Sequence, residues 1–216
     1  SAASDVYKRQ IECSAMSIKY LGEEFDIHGG GLDLKFPHHE NEIAQAECAT
    51  ERNFASLWMH TGPLRIEDKK MSKSLKNFIT VKDILKDFHP EVLRLFFLLT
   101  HYRSPISYSK EGLENAKRVL DKFYTLFSDI KTTRKFNEDK TFREEFISAF
   151  QDDFNSPKAL SLLQAYAANT ESGGDLSSDK LFTIKVLLNS LGLLLDEAEN
   201  YFKSVSYTHL RAHETE

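Results

Sequence analysis

Three side chains of types that bind metal ions lie in the first part of the chain: Cys13, His38 and Glu42. On a helix, His38 and Glu42 would project from one face one turn apart, and Cys13 would follow a strand end in a neighbouring loop. A thiolate, an imidazole and a carboxylate suit zinc, whereas magnesium and calcium prefer oxygen ligands alone. Zinc usually takes four ligands, so two interpretations stay open: part of a zinc site, or a surface histidine near a helix N-terminus.

A second candidate site is the run of three glycines from Gly29 to Gly31, which follows His28 and precedes Asp33. Backbone amides without side chains can approach a phosphate or a ribose closely, and Asp33 could accept a hydrogen bond from a hydroxyl group. The spacing is that of neither the dinucleotide fingerprint nor the phosphate-binding P-loop. The run therefore indicates either a nucleotide-facing segment or a flexible turn.

The third candidate is the segment Lys70-Met71-Ser72-Lys73-Ser74, which lies in a polar stretch rich in lysine. Two lysines three residues apart could hold a triphosphate and neutralise the charge that develops on departing pyrophosphate. A lysine pair in a polar loop is also a common solvated surface feature. Spacing alone does not decide between the two interpretations.

The composition is that of a globular chain, with 216 residues, 41% of them hydrophobic, and a formal net charge of -5. This charge excludes a surface that is basic all over, so any contact with nucleic acid would come from a local patch. The two cysteines are too few for a disulfide framework, and free thiols favour a reducing compartment, with the cytoplasm as the default. No apolar run approaches the roughly 20 residues of a membrane span, so we predict no membrane segment.

The elements that position the candidate residues form an α/β half followed by an all-α half. A strand over residues 24–27, the glycine run and a helix from Pro37 to about Thr50 follow the order of a nucleotide-binding unit. Turn and capping residues predict the later elements of this half: strands over 57–60 and 64–67, and helices that begin at Thr80 and Pro90.

From Ser109 onward, apolar residues recur at helical spacing, which predicts a bundle of about four helices. Asn155-Ser156-Pro157 is a strong helix start, and residues 171–179 form the clearest loop. The two chain ends lack an amphipathic period and are interpreted as non-native tails, with frayed natural termini as the alternative. The predicted division is a tail (1–10), the second part of a nucleotide-binding domain (11–63), a lysine-rich loop with connecting helices (64–107), a helical domain (108–204) and a tail (205–216).

Several segments, in order along the chain, resemble one enzyme family. Residues 70–74 read KMSKS, the second signature of class I aminoacyl-tRNA synthetases. Cysteinyl-tRNA synthetases in particular are similar at residues 11–16 (IECSAM), 26–31 (DIHGGG) and 36–42 (FPHHENE), and in their helical domain at 152–157 (DDFNSP). The resemblance implies the C-terminal part of a Rossmann-like class I catalytic domain, followed by an antiparallel helical bundle.

The resemblance also implies a role for each candidate residue. Cys13, His38 and Glu42 match three of the family's four zinc ligands, and His38 and the zinc would bind the substrate cysteine. Lys73 matches the catalytic lysine that contacts ATP, with Lys70 as its companion. The other ATP-binding positions that it implies are Met71, Ser72, Ser74, His28, Gly29, Gly31 and Asp33.

By resemblance, the reaction is the ATP-dependent activation of cysteine to cysteinyl-adenylate, with Mg2+ accompanying ATP, followed by transfer to tRNA(Cys). The implied partners are cysteine, ATP and tRNA(Cys), with no membrane, and the implied protein is a cytoplasmic monomer. The helical half would contact the tRNA through basic residues that a solvated helix face explains equally well: Lys117, Arg118, Lys122, Lys131, Arg134 and Lys135.

The family pattern also predicts what this polypeptide does alone. The first class I signature, the fourth zinc ligand and the anticodon-recognition region are not among these 216 residues. We therefore expect the chain alone to be inactive, to bind zinc poorly and to aggregate through exposed sheet edges. Two other interpretations stay open: a paralogue that joins activated cysteine to an amino sugar, and a non-catalytic helical module that binds RNA or a partner.

Overall fold

A computed structural model describes residues 2–66, 69–70, 79–128, 137–171 and 178–204. The chain forms two compact units. The first comprises Ser1–Leu64 with Tyr102–Pro105, and the second comprises Arg65–His101 with Ile106–Glu216. The five-part division made from the sequence stays a prediction, and its C-terminal tail lies outside the described residues.

The first unit is built on a strand–helix–strand arrangement. Helix α1 (Ala2–Leu21) precedes strand β1 (Phe25–Gly31), and helix α2 (Glu40–Thr50) connects β1 to strand β2 (Ala55–Thr61). The two strands are parallel, and a helical crossover is the usual way to join parallel neighbours. This order agrees with the nucleotide-binding unit expected from the sequence.

Helix α1 corrects the expected position of Cys13, which lies within this helix and not in a loop after a strand. The stretch from Ala2 to Leu21 contains neither glycine nor proline, so nothing in it interrupts a helix. It ends at Gly22, whose φ of 100° is the left-handed conformation that glycine tolerates, and whose N–H donates to the Ile18 carbonyl at 3.1 Å. The N-terminal segment interpreted as a tail is helical from Ala2 onward.

The glycine run corrects a second expectation, because it is neither a turn nor a loop. Gly29, Gly30 and Gly31 are the last three residues of β1 and pair with Met59, His60 and Thr61 of β2. The ladder of backbone hydrogen bonds compensates for the low strand propensity of glycine. The interpretation as a flexible turn is therefore wrong.

Helix α2 begins later than predicted. Phe36, which precedes a proline, is extended (φ −133°, ψ 133°), and a separate turn over Lys35–His39 leads to the α-helix at Glu40. Steric clash with the proline ring keeps the preceding residue out of the helical region. His38 consequently lies before α2 and does not share a helix face with Glu42 as the sequence suggested.

The first unit also presents an apolar face on its sheet. Ile27 and Leu57 are paired neighbours across β1 and β2, and they are 57% and 47% exposed. Adjacent exposed aliphatic side chains favour association with another surface. The expectation that the isolated chain aggregates stays a prediction.

The second unit begins with a small sheet and two short helices. Strand β3 (Leu64–Ile66) lies between β4 (Lys69–Lys70), to which it is antiparallel, and β5 (Ile106–Tyr108). Helix α3 (Val81–Ile84) is capped by Thr80, whose hydroxyl accepts a hydrogen bond from the Asp83 N–H, as predicted. Helix α4 (Pro90–Leu98) has the predicted proline in its first turn.

Four longer helices complete this unit: α5 (Lys110–Leu126), α6 (Lys140–Gln151), α7 (Ser156–Glu171) and α8 (Ser178–Ser190). Asn155, part of the predicted helix start, accepts from the Lys158 N–H at 3.2 Å, and Ser109, where the apolar spacing begins, accepts from the Gly112 N–H at 3.0 Å. The core contains the apolar stripe of α5 and contributions from the other helices, including Leu113, Leu120, Phe123, Phe146, Leu160, Ile184 and Leu188. No helix in the described ranges is long and apolar enough to cross a membrane.

Replacing Asp139 with alanine is expected to lower the free energy of unfolding by about 1–2 kcal/mol at neutral pH. The Asp139 carboxylate caps α6 by accepting from the Phe142 N–H at 3.1 Å, and it also accepts from the Tyr166 hydroxyl at 2.9 Å. The Phe142 hydrogen bond, followed by that of Tyr166, lowers the pKa of Asp139 in the folded chain.

A lowered folded pKa means that the charged cap stabilises the fold above the ordinary value of 3.8, and that this stabilisation is lost as the pH falls through the folded pKa. Urea unfolding at neutral and acidic pH measures both effects. Asp139→Asn is the control, because its amide oxygen keeps a cap without a titratable group. An equal loss for Asp139→Ala at both pH values would contradict the assignment.

Candidate functional site

One face of the first unit gathers the ionisable side chains. The parallel register places His28 opposite Trp58 and Gly30 opposite His60. Because alternate residues of a strand point to the same face, His28 and Gly30 share a face of β1, and Trp58 and His60 share a face of β2. We call His28, His39, Trp58 and His60 the histidine cluster.

The rings of the histidine cluster are in close contact. His28 lies 4.5 Å from Trp58 and 4.9 Å from His39 between ring centroids, and His39 lies 5.1 Å from Trp58. His39 is only 4% exposed, and its Nδ1 lies 2.9 Å from Nε2 of His60. The hydrogen bond and the ring packing hold the imidazoles in fixed orientations.

Glu42 of helix α2 lies beside this cluster and is 5% exposed. Its Oε2 is 3.0 Å from Nε2 of His28, yet no hydrogen bond reaches that buried oxygen within the part of the chain that the structure describes. The Cys13 thiol donates a hydrogen bond to the Glu42 carboxylate. Burial raises the pKa of Glu42, and the Cys13 hydrogen bond partly opposes that rise.

The pKa values of two imidazoles are shifted in the direction opposite to that of Glu42. Burial, followed by the neighbouring His28, His60 and His38, lowers the pKa of His39 to about 4. Burial, followed by His60, also lowers the pKa of His28. Both rings are neutral at neutral pH, which is the state in which an imidazole nitrogen accepts a proton or binds a metal ion.

The donor set around Glu42 suits zinc. One nitrogen each from His28 and His39 and one oxygen of Glu42 all lie within 4.8 Å of one another. Glu42 Oε2 has the character of a ligand atom, because it is buried and close to a nitrogen that does not hydrogen-bond to it. Imidazole and carboxylate are ordinary zinc ligands, and the Cys13 thiol is within reach of the same carboxylate.

The structure thus brings together two of the three predicted metal ligands, Cys13 and Glu42. His38 is not in the group of neighbouring donor atoms that the described residues form, although it lies in the same turn before α2 as His39. His39 takes the inward position instead, and sequence analysis did not single it out. The signal that could have marked a shared face is the placement of His28 in β1 and of His60 in the predicted strand 57–60, because alternate residues of a strand point to the same face.

The predicted nucleotide-binding residues lie in two places. Gly29 and Gly31 end β1 beside His28, and Asp33 folds back so that a Cβ added to Gly31 would lie 2.5 Å from its Oδ1. Lys70 belongs to β4, where it is paired with Arg65. The other members of the lysine segment lie outside the described residues: Met71, Ser72, Lys73 and Ser74.

The basic residues proposed to contact tRNA are partly engaged within the helical unit. Lys117 Nζ donates to Asp121 at 2.6 Å, and Arg118 donates to the Asn115 side chain. Both contacts are within α5, which favours the solvated helix face for these two residues. Lys131, Arg134 and Lys135 lie outside the described residues.

Comparison with protein families identifies the fold. A model described as the class I (C) catalytic domain of tRNA synthetases matches residues 9–118, more than half of the chain. The chain belongs to the class I tRNA synthetases. A DALR domain model matches residues 145–197, so the catalytic part of this synthetase chain is followed by a helical domain of that type, as the sequence predicted.

Curated relatives of this class I synthetase chain are named "Cysteine--tRNA ligase". Those of Hydrogenovibrio crunogenus (strain DSM 25203 / XCL-2) and Legionella pneumophila (strain Corby) are each 48% identical, over 196 and 197 residues respectively. Both alignments cover 90% of this chain and 42% of the relative. The chain therefore spans well under half the length of these relatives.

A solved structure confirms the class I synthetase fold at lower identity. The agnB2 LeuRS of Agrobacterium radiobacter K84, solved as a ternary complex with tRNA and LeuAMS, matches with a TM-score of 0.57 at 18% identity. The match covers 85% of this chain and 27% of that chain. It supports a mixed α/β catalytic fold followed by helices.

Proposed function

We propose that this chain is part of a cysteine--tRNA ligase, which activates cysteine with ATP and transfers it to tRNA(Cys). The observation that carries the proposal is 48% identity, over 90% of this chain, to proteins of that name. The KMSKS string at residues 70–74 and the thiol, imidazole and carboxylate donors around Glu42 support it. We also propose that the full protein is a cytoplasmic monomer.

Each half-reaction is a displacement in which the substrates supply both the nucleophile and the leaving group, so no protein nucleophile is needed. A carboxylate oxygen of cysteine attacks the α-phosphorus of ATP, and pyrophosphate departs to leave cysteinyl-adenylate. A ribose hydroxyl of the terminal nucleotide of tRNA(Cys) then attacks the acyl carbon, and AMP departs. The residues of this chain act by binding, orientation and charge stabilisation.

For ATP, we propose that His28, Gly29, Gly31 and Asp33 face the nucleoside. Gly29 and Gly31 present backbone without side chains at the end of β1, and Asp33, whose Oδ1 lies beside Gly31, accepts from a ribose hydroxyl. For the phosphates, Lys73 and Lys70 of the KMSKS segment balance the charge on pyrophosphate together with Mg2+. Met71, Ser72 and Ser74 complete this segment.

For cysteine, we propose a zinc ion held by Cys13, His38 and Glu42, the ligand set that the family resemblance implies. When bound, zinc supplies a soft Lewis acid that prefers the thiolate of cysteine to the hydroxyl of serine. Glu42 is already buried next to Cys13. His38 would reach the same ion from the turn before α2 and contact the substrate.

The test uses the full-length product of the gene that encodes this chain. We expect cysteine-dependent exchange of pyrophosphate into ATP, with little exchange when serine replaces cysteine, and charging of tRNA(Cys). Exchange without charging of any tRNA, accompanied by ligation of cysteine to an amino sugar, would contradict the proposal. The 216-residue chain alone is the comparison, and we expect it to show no exchange above background.

A further inference from the structure

His39 lies directly against the backbone of the glycine run. A Cβ added to Gly30 would lie 2.8 Å from Cε1 of His39 and 3.1 Å from its Nε2. No real side chain fits at such a separation, so the ring of His39 occupies the space that any other residue at position 30 would need. The backbone at Gly30 therefore packs against the imidazole ring of His39.

His60 holds that ring from the neighbouring strand. Its Nε2 lies 2.9 Å from Nδ1 of His39, and it stands directly opposite Gly30 in the parallel register. One of the two nitrogens donates and the other accepts, so the hydrogen bond couples the tautomer of one ring to that of the other. Trp58 packs in parallel with His60, with the ring planes 9° apart and the centroids separated by 6.3 Å.

The same ring also lies beside the candidate metal site. A ring nitrogen of His39 lies within 4.8 Å of donor atoms of both His28 and Glu42. The orientation of His39 thus bears on two surfaces together, the backbone of Gly30 and the polar atoms around Glu42. Only the His60 hydrogen bond reaches Nδ1 of this ring among the hydrogen bonds of the described residues.

We infer that His60 is a positioning residue, which acts through His39 to hold the glycine run in the conformation that receives ATP. The inference rests on the proposed function, since it takes Gly29 and Gly31 as nucleotide-facing. His60 itself touches no substrate in this assignment. Without its hydrogen bond, His39 is free to change tautomer and to turn about its χ2 angle, and the support under Gly30 loosens.

The variant pair that tests this is His60→Phe and His60→Gln in the full-length protein. Phenylalanine keeps a ring against Trp58 but cannot hydrogen-bond, whereas the glutamine amide both donates and accepts at the distal position of the histidine ring. We expect His60→Phe to raise the KM for ATP about tenfold in pyrophosphate exchange, the effect of losing roughly one hydrogen bond. His60→Gln should restore most of it, and the KM for tRNA should not change.

A merely structural role for His60 would give a different pattern, in which the fraction of active enzyme falls and the KM for ATP stays constant. A double-mutant cycle with Gly30→Ala adds a second readout. Both substitutions displace the same ring, so their effects on the KM for ATP should be clearly less than additive. Additive effects, or a KM for ATP that is unchanged in His60→Phe, would overturn the inference.

A spectroscopic measurement separates this inference from the proposed function. Nitrogen-15 NMR of the histidine rings should show a single tautomer for His39 in the wild type and in His60→Gln, and a mixture in His60→Phe. An unchanged tautomer in His60→Phe overturns the inference whatever the exchange assay gives. Wild-type protein without cysteine-dependent exchange would instead overturn the proposed function.

Discussion

Replacing Glu91 with alanine is expected to lower the free energy of unfolding of the second unit by about 3–5 kcal/mol. Glu91 is 4% exposed, and its two carboxylate oxygens accept three hydrogen bonds. Oε2 accepts from the Tyr124 hydroxyl at 3.0 Å and from the Leu194 N–H at 2.7 Å, and Oε1 accepts from the Leu195 N–H at 3.0 Å. Truncation leaves the Tyr124 hydroxyl and the Leu194 N–H buried without this partner, at about 1–3 kcal/mol each, and it also removes the acceptor of the partly buried Leu195 N–H.

The hydrogen bonds of Glu91 continue to other side chains, so the loss of stability should extend beyond the position of Glu91. The Tyr124 hydroxyl also accepts from the Asp196 N–H at 3.3 Å, and its ring stacks on Tyr201 with centroids 3.8 Å apart. Burial, followed by the charge of Glu91, raises the pKa of Tyr124, so this phenol remains a donor at all ordinary pH values. Glu91 lies in the region that matches the catalytic family and Leu194 in the DALR region, so the carboxylate joins the two within one unit.

The same carboxylate lies close to donor atoms of His89 and Asp196, a grouping that resembles a metal site. The hydrogen bonds decide against that interpretation. Both oxygens of Glu91 already accept from donors, and Nε2 of His89 lies 3.1 Å from Oδ2 of Asp196. We therefore assign the group a structural role.

Urea unfolding followed by circular dichroism measures the change. Glu114→Ala is the matched control, because Glu114 is an exposed glutamate on helix α5, and we expect it to change stability by less than about 0.5 kcal/mol. Glu91→Gln should fall between the two, since it keeps the shape and one acceptor oxygen. A loss below about 1 kcal/mol for Glu91→Ala would show that the network contributes little.

Replacing Glu42 with alanine is expected to weaken zinc binding by the full-length protein about 100-fold or more. The free energy of a zinc site is divided among about four ligands, so the loss of one removes roughly a quarter of it. Glu42 is the group that contacts both Cys13 and His28 in the structure. Replacing Glu42 therefore removes a ligand and also the contacts that hold Cys13 and His28 beside it.

Zinc content after dialysis, and competition with a chromophoric chelator, measure this prediction. Glu40→Ala is the control, because Glu40 is an exposed residue in the first turn of the same helix and would leave zinc binding unchanged. Retention of one zinc ion with wild-type affinity in Glu42→Ala would exclude Glu42 as a ligand. Weaker binding in Glu40→Ala than in the wild type would indicate a general charge effect, because Glu40→Ala also removes a negative charge near the ion.

Local signals predicted the helix starts well. Thr80 and Asn155 each cap a helix as expected, because a capping hydrogen bond joins residues only two or three positions apart and depends on little else. The apolar spacing of α5 also predicted its buried face, including Leu113, Leu120 and Phe123. The match to class I synthetases agrees with the KMSKS string and the other motifs, which can be recognised in the sequence without a structure.

Features that depend on residues far apart in the chain could not be predicted from the sequence. The glycine run is a strand because it pairs with β2, about thirty residues later, and a local pattern cannot show that partner. The three acceptor roles of Glu91 involve donors 33, 103 and 104 residues away. Nothing near Glu91 in the sequence distinguishes it from an ordinary glutamate in a first helical turn.

The candidate metal site shows the same division. The sequence by itself determined the family and the kinds of donor, and it predicted Glu42 and Cys13 as metal ligands, because residue type and motif order carry that information. The tertiary structure decided which imidazoles lie beside Glu42 in this chain, namely His28 and His39. The reason is steric: the proline at position 37 delays the start of α2, and the missing side chain of Gly30 opens a space that the ring of His39 fills together with the Leu34 side chain.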